Sequence, residues 1–268
     1  MYFINIRFPG AWLCSEVRDA QPDVEPMLRL MAECLVDAAV ALAFFDEAYA
    51  GLRGDGNATD DFRRELKSAT AAVVRSQMGW DADPGEVSEK SDQKYFESLM
   101  KSRCLPAGYE SRIPTMHARS FVYALDEIEK ALDTLEKNAN MPESIAGIKQ
   151  EWSAAFPYLS EVRNSAHHMA DRVRGKRRKK DIDPAPVSAP GIETSGGVMF
   201  LNVLRGRNYG ITLGEGVYQE VSISPESLQV ARDLVQRIID AFSWEGFPHS
   251  SQPLRIEPHS PGLADRIW

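Results

Sequence analysis

A chain of 268 residues with 43% hydrophobic and 26% charged residues can bury a full core and lies in the ordinary globular range. Its net charge of −8 argues against non-specific coating of nucleic acid, because such a surface carries excess positive charge, so any polyanion site is local. The most apolar window, 34–45, is short and contains Asp37, which argues against a signal peptide or membrane span. The three cysteines are widely spaced and form neither a disulfide framework nor a CxxC metal site. We therefore expect a cytoplasmic protein.

The first long segment shows helical periodicity up to a glycine-rich break at 51–56. Its apolar residues recur at alternating steps of three and four: Leu28, Met31, Leu35, Ala38, Leu42, Phe45 and Tyr49. Thr59 then caps a second helix, since its side chain can accept from free backbone amides. The buried stripe predicted for that second helix contains Phe62, Leu66, Ala69 and Val73.

Residues 79–114 have a mixed pattern and predict a connection, with a short helix around 95–100 bounded by prolines. Helical spacing returns in a third long segment through Phe121, Leu125, Ile128, Leu132 and Leu135. A fourth segment, 145–173, keeps the three-four alternation throughout. Its predicted apolar stripe contains Ile145, Ile148, Trp152, Ala155, Leu159, Val162, Ala166, Met169 and Val173. Pro157 should kink this helix without ending it.

The residue types change after the fourth segment. A basic run at 172–180 leads into a linker rich in Pro, Ala and Ser. Beta-forming residues follow, and they predict an antiparallel meander with strands at 198–204, 209–213 and 217–223. Ser224 and Pro225 begin a last helix, because serine caps free amides and proline is tolerated in the first turn. Its predicted apolar stripe contains Leu228, Ala231, Leu234, Val235, Ile238 and Phe242.

These elements predict a mainly α fold, an antiparallel helical bundle with a small C-terminal β-meander and a terminal helix. The bundle occupies 1–175, the basic and proline-rich linker 176–195, and the meander with its helix 196–245. Residues 246–268 form a loosely ordered tail.

One cluster in the fourth segment carries residues suited to chemistry. Arg163, Asn164, His167 and His168 lie where the apolar stripe meets the basic run. The pattern Arg163-Asn164-x-x-x-His168 resembles the HEPN superfamily, whose members are helical bundles with Arg-x4-6-His on a late helix, often with Asn directly after the arginine. The resemblance covers roughly residues 27–174 and rests on this motif and on the architecture.

The resemblance implies a HEPN-like bundle and a metal-independent endoribonuclease that acts as a homodimer, in a toxin or defence effector. RNA, a second copy of the chain and, for a toxin, a cognate antitoxin are the partners it implies. Some HEPN toxins have a modified Tyr two residues after the histidine. This chain has Ala170 there, so that regulation is not implied.

The motif residues also suit RNA cleavage on chemical grounds. RNA supplies its own nucleophile, the 2′-hydroxyl, and cleavage needs a proton acceptor, a proton donor and positive charge on the phosphorane oxygens. His168 would be the general acid and base, Arg163 would clamp the phosphate, and Asn164 would orient the substrate or the imidazole. No cofactor or metal ion is implied. The basic run would bind RNA through Arg172, Arg174, Lys176, Arg177 and Arg178.

Helical geometry complicates this assignment. On a straight helix, residues five apart lie about 140° apart, so Arg163 and His168 would flank opposite sides of the apolar stripe. A two-fold dimer packed through that stripe would bring the flanks together. His167 shares the flank of Arg163 and is the competing histidine, while His117 could line the same cleft. The interface predicted for such a dimer contains Leu159, Val162, Ala166 and Met169.

Simpler interpretations stay open. Arg163 could pair with an Asp or Glu elsewhere in the chain, and His117 could be an ordinary surface histidine. The run 172–180 is more often a solvated helix end than a nucleic-acid contact. A non-catalytic HEPN-like module that binds nucleic acid or a partner protein, or a purely structural helical protein, is therefore the alternative to a ribonuclease.

Overall fold

The computed structural model describes residues 2–53, 57–138 and 141–250. Its helices are α1 (Ser15–Ala20), α2 (Val24–Arg53), α3 (Asn57–Met78), α4 (Pro84–Lys101), α5 (Ala107–Glu110), α6 (Ile113–Lys137), α7 (Ser144–Ala155), α8 (Leu159–His167), α9 (Met169–Val173) and α10 (Pro225–Asp240). Its strands are β1 (Arg7–Phe8), β2 (Trp12–Leu13), β3 (Lys176–Arg177), β4 (Lys180–Asp181), β5 (Ser188–Ala189), β6 (Ile192–Glu193), β7 (Val203–Arg205), β8 (Asn208–Thr212), β9 (Tyr218–Ser222), β10 (Trp244–Glu245) and β11 (His249–Ser250). The predicted mainly α fold with a C-terminal antiparallel meander is confirmed.

The described residues form two compact units, one of residues 2–45 and 115–250 and one of residues 46–114. The boundaries fall within α2 and close to the start of α6. This grouping places the motif, the predicted linker and the meander in the larger unit. Among the residues that the structure describes, no helix has both the length and the hydropathy that crossing a membrane requires.

The larger unit is built on the apolar stripes predicted for α2, α6 and α10. Packing of these stripes removes large apolar surfaces from water and provides the main stabilisation of the unit. On α2 and α6, the buried members are Leu28, Met31, Leu35, Ala38, Leu42, Phe45, Phe121, Leu125, Ile128, Leu132 and Leu135. On α10, they are Leu228, Ala231, Leu234, Val235 and Ile238.

The stripe predicted for α3 is wrong by about one residue. Phe62 is 39% and Val73 41% exposed, whereas Arg63, Thr70 and Val74 are buried. One residue corresponds to about 100° of rotation, and packing of α3 against α4 selects the neighbouring face. Burial of an arginine there is possible because Arg63 pairs with Asp60 and Glu110 and donates to the carbonyl of Leu105.

The connection predicted for 79–114 is wrong, because α4 is a long helix. The signal was a helix start: the side chain of Asp83 accepts from the amide of Glu86 at 2.9 Å, and Pro84 occupies the first turn. Proline is tolerated there because the first amides of a helix have no partner within the helix. The sequence interpretation treated this proline as a boundary only.

The prediction of one continuous helix for the fourth segment is also wrong. Pro157 and the residues beside it separate α7 from α8, since Tyr158 has a positive φ of 62° and cannot continue a right-handed helix. A second break at His168 separates α8 from α9. Ala155 and Val173, predicted for one stripe, are therefore exposed.

The meander and its helix agree with the sequence prediction. Strand β8 pairs antiparallel with β7 and β9, and the sheet contacts α8. The hydroxyl of Ser224 accepts from the amide of Ser227 at 3.1 Å, and Pro225 is the first residue of α10. The cap and the proline thus fix the start of the last helix.

Short strand pairs occur in segments where the sequence predicted irregular structure. Within the linker, β3 pairs with β4 and β5 pairs with β6. The N-terminal strands β1 and β2 pair with β11 and β10, which joins the two ends of the described chain. Most of the predicted tail, 251–268, and part of the glycine-rich break, 54–56, lie outside the described residues.

Candidate functional site

The motif lies on α8, a short helix between two breaks. Tyr158 precedes its first residue, and His168 follows its last with φ −91° and ψ 38°. Arg163, Asn164 and His167 are therefore helical, whereas His168 is not. The angle between Arg163 and His168 expected for one straight helix consequently does not apply to this chain.

Arg163 faces helix α6 and a buried carboxylate. Its Nε lies 3.0 Å from Oδ2 of Asp126, whose side chain is fully buried, and its Nη2 lies 3.6 Å from Oε1 of Glu127. The guanidinium also stands over the ring of Tyr123, with 5.5 Å between its carbon and the ring centroid. An ionised carboxylate needs such partners when it is removed from water. Arg163 thus acts as a counter-ion in the core.

Other residues complete a buried carboxylate network around Asp126. Nζ of Lys130 lies 2.7 Å from Oδ2 of Asp126, and the hydroxyl of Ser160 lies 2.9 Å from Oδ1. The same hydroxyl lies 2.8 Å from Oε2 of Glu129. Burial raises the pKa of Glu129, which the hydrogen bond from Ser160 offsets in part. The network therefore concentrates negative charge on the α6 side of α8.

Asn164 connects this network to a second feature, since its Oδ1 accepts from Nη1 of Arg163 at 3.1 Å. The second feature, which we name the basic hollow, has a volume of about 320 Å³. It lies among α8, α9, the turn between β3 and β4, and the loop that follows β8. The basic hollow is lined by Glu161, Asn164, Ser165, His168, Asp171, Arg172, Arg177, Arg178, Gly214 and Glu215.

Of the predicted histidines, His168 alone lines the basic hollow. His167 is exposed, and its ring meets that of His168 edge to face with centroids 5.2 Å apart. His117 stacks on Phe44 at 5.3 Å and lines a different groove between α2 and α6. The structure therefore separates His117 from the motif and brings His168 together with Asn164.

The predicted basic run divides into different environments. Arg174 pairs with Asp171 at 2.5 Å and Lys176 pairs with Asp181 at 3.1 Å, and neither cation lines the hollow. Arg172 is buried within the wall of the hollow. The run is thus neither wholly a solvated helix end nor a uniform basic surface.

Arg177, the last residue of β3, and Arg178, in the turn that follows, both line the hollow. Arg177 pairs with Glu215 at 2.5 Å and passes close to Gly214, where an added Cβ would meet Cδ of Arg177 at 2.6 Å. A glycine at 214 is therefore required for this approach. Arg178 has a positive φ of 57° and is exposed at the rim.

Sequence reasoning allowed an Asp or Glu as the partner of Arg163 but did not identify Asp126. A signal was present, because Asp126 directly follows the buried Leu125 within the apolar pattern of α6. A carboxylate at a buried position requires a cation. The loop residues Gly214 and Glu215 had no signal of this kind, since only the tertiary fold brings them to α8.

The apolar residues proposed for a dimer interface are covered within the single chain. Leu159, Val162 and Ala166 are buried, and α8 contacts β8 and β9. These three residues are therefore not available to a second copy of the chain, whereas Met169, the fourth residue of the predicted interface, is partly exposed.

Comparisons with known proteins identified no relative of this chain. No protein-family model matches the chain, and neither curated proteins nor solved structures gave a significant match.

Proposed function

We propose that this chain binds RNA in the basic hollow and cleaves it as a metal-independent endoribonuclease of HEPN type. The observation that supports this proposal is the presence of His168 and Asn164, two residues of the motif, in one hollow with arginines of the basic run. An imidazole can transfer the protons of phosphodiester cleavage by the RNA 2′-hydroxyl, and guanidinium groups can stabilise the negative charge that develops.

His168 would transfer the protons of the reaction. As a base it would take the proton of the 2′-hydroxyl, and as an acid it would return one to the leaving 5′-oxygen in the later step. The 2′-oxygen first bonds to phosphorus and gives a phosphorane. The bond to the 5′-oxygen then breaks as that oxygen takes the proton from His168, which leaves a 2′,3′-cyclic phosphate. Arginines of the hollow would stabilise the charge on the phosphorane oxygens.

Arg163 has a different role in this proposal from the one that the motif suggests. Its guanidinium is held by Asp126 and donates to the side chain of Asn164. We therefore assign Arg163 as a positioning residue, which fixes Asn164 at the edge of the hollow. The homodimer and the cognate antitoxin stay predictions.

The pairing of Arg163 with Asp126 also favours a second candidate function. A guanidinium committed to a buried carboxylate is not free to clamp a phosphate, and His168 is the one imidazole among the residues that line the hollow. A non-catalytic module that binds the RNA backbone would have these features.

Cleavage of a labelled RNA by the purified full chain in EDTA separates the two candidates. We expect the wild-type chain to cleave, His168→Gln to lose at least about 100-fold in rate, and the matched control His167→Gln to retain the activity. A 2′-deoxy residue at the cleaved position should prevent the reaction. Binding of RNA without cleavage by the wild-type chain would support the non-catalytic module, and equal rates for all variants would remove His168 from the reaction.

A further inference from the structure

Arg172 is a buried cation without a carboxylate partner. It is only 6% exposed, and no carboxylate of the described residues lies within ion-pairing distance of its guanidinium. Burial of a charge without a counter-charge is costly, because the protein interior replaces little of the stabilisation that water provides. Burial and the neighbouring charge of Arg177 accordingly lower the pKa of Arg172.

The hydrogen-bonding capacity of Arg172 is only partly used. Nη1 donates to the carbonyl of Lys176 at 2.8 Å, and Nη2 donates to the hydroxyl of Ser165 at 3.4 Å. Its Nε has no hydrogen-bond partner among the described residues. A guanidinium carries five N–H donors, so several remain for a ligand in the hollow.

The carboxylates nearest to Arg172 are committed to other arginines. Asp171 pairs with Arg174, and Glu215 pairs with Arg177. Glu161 is the remaining carboxylate of the hollow, which Arg172, Arg178 and His168 also line. Among the residues that line the hollow, the arginines equal the carboxylates in number. The positive charge left for a ligand is therefore that of Arg172, whose guanidinium is paired with no carboxylate in the described part of the chain.

We propose that Arg172 anchors a phosphate-binding subsite in the basic hollow, with Arg178 and His168 as its further ligands. Planar guanidinium groups match the geometry of phosphate oxygens, and the charged hydrogen bonds that they form are strong. The hollow of about 320 Å³ lies at the lower end of the range of about 300–1,000 Å³ for ligand pockets. The ligand is the oxyanion of a phosphate group.

The inference rests on the proposed function only in naming RNA as the source of that phosphate. Inorganic phosphate would occupy the same subsite, and the two sources are compared directly. Phosphate that competes with a short RNA, and RNA that binds more tightly than phosphate, would identify the nucleic acid as the source. Phosphate that binds without any competition from RNA would leave the subsite intact and remove the proposed function.

The experiment titrates the full chain with inorganic phosphate at constant ionic strength. Calorimetry gives the affinity, and ¹H–¹⁵N spectra follow the Nε–H groups of the arginines. We expect Arg172→Gln to weaken phosphate binding at least about tenfold, the loss of a charged hydrogen bond, and Arg178→Gln to weaken it less. The matched control is Arg174→Gln, because Arg174 is exposed, pairs with Asp171 and does not line the hollow.

The spectra keep the test decisive if Arg172→Gln fails to fold. Phosphate should then shift the Nε–H signal of Arg172 in the wild-type chain while leaving that of Arg174 unchanged. No phosphate-dependent change in either signal, or equal weakening by Arg172→Gln and Arg174→Gln, would overturn the subsite. RNA cleavage and phosphate binding that both survive Arg172→Gln would overturn the subsite and leave the ribonuclease proposal standing.

Discussion

Arg163 and Arg172 lie on opposite sides of the two histidines in the sequence, and both have largely buried side chains in the larger unit. Arg163 meets a buried carboxylate on α6, whereas Arg172 donates to a carbonyl and a hydroxyl. The positive charge of Arg177 also lowers the pKa of Arg172. The same residue type therefore has two roles, which its partners decide. An arginine matched by a carboxylate stabilises the fold, and an unmatched one is available to an anion.

The largest expected effect concerns Arg163. Arg163→Met removes one cation from Asp126 and leaves Lys130 to compensate alone. We expect the free energy of unfolding to fall by about 2–3 kcal/mol, since a buried carboxylate loses part of its pairing. Urea denaturation followed by circular dichroism measures this change.

Arg174→Met is the matched control for that measurement. Arg174 is exposed, so its loss should change the stability by no more than about 0.5 kcal/mol. The double variant Arg163→Met with Asp126→Leu should recover part of the stability, because no buried charge is left unpaired. Equal values for Arg163→Met and Arg174→Met would show that Asp126 does not depend on Arg163.

A smaller effect is expected at Arg172. Arg172→Met loses two hydrogen bonds but also removes the cost of an unpaired buried cation. The stability should therefore change by about 1 kcal/mol or less, in the same urea experiment. A loss of stability as large as that of Arg163→Met would show that the two arginines stabilise the fold equally.

The smallest effect concerns the carboxylates near Arg163 and is measured through the pH dependence of stability. Burial raises the pKa of Glu129, so its folded form holds the proton more tightly than the unfolded chain does. Above the ordinary value of about 4.3, ionisation of Glu129 therefore opposes folding. Glu129→Gln should be more stable than the wild type by about 0.5 kcal/mol at pH 7.

This advantage should disappear as the pH falls below about 4, where Glu129 is protonated in both states. Unfolding measured between pH 4 and pH 7 follows the difference. The exposed residue at the start of α7 provides the control Glu143→Gln, which should show no such trend. A gain at Glu129→Gln that is independent of pH would contradict the assigned ionisation.

Local signals in the sequence predicted much of the fold. The apolar stripes of α2, α6 and α10 follow from helical periodicity, and Ser224 with Pro225 marks the start of α10 through the chemistry of one turn. The predicted helix boundaries were wrong where one residue type is compatible with two local structures. Pro84 begins a helix, whereas Pro157 separates two helices, and the conformations of neighbouring residues decide between these outcomes.

The sequence by itself determined that Arg163, Asn164 and His168 would be near one another and next to a basic run. Only the tertiary structure decided that Arg163 turns to Asp126 while His168 and Asn164 face the basic hollow. The physical reason is that a buried charge takes its partner from whichever element packs against it, and helix α6 and the loop after β8 are distant from the motif in sequence.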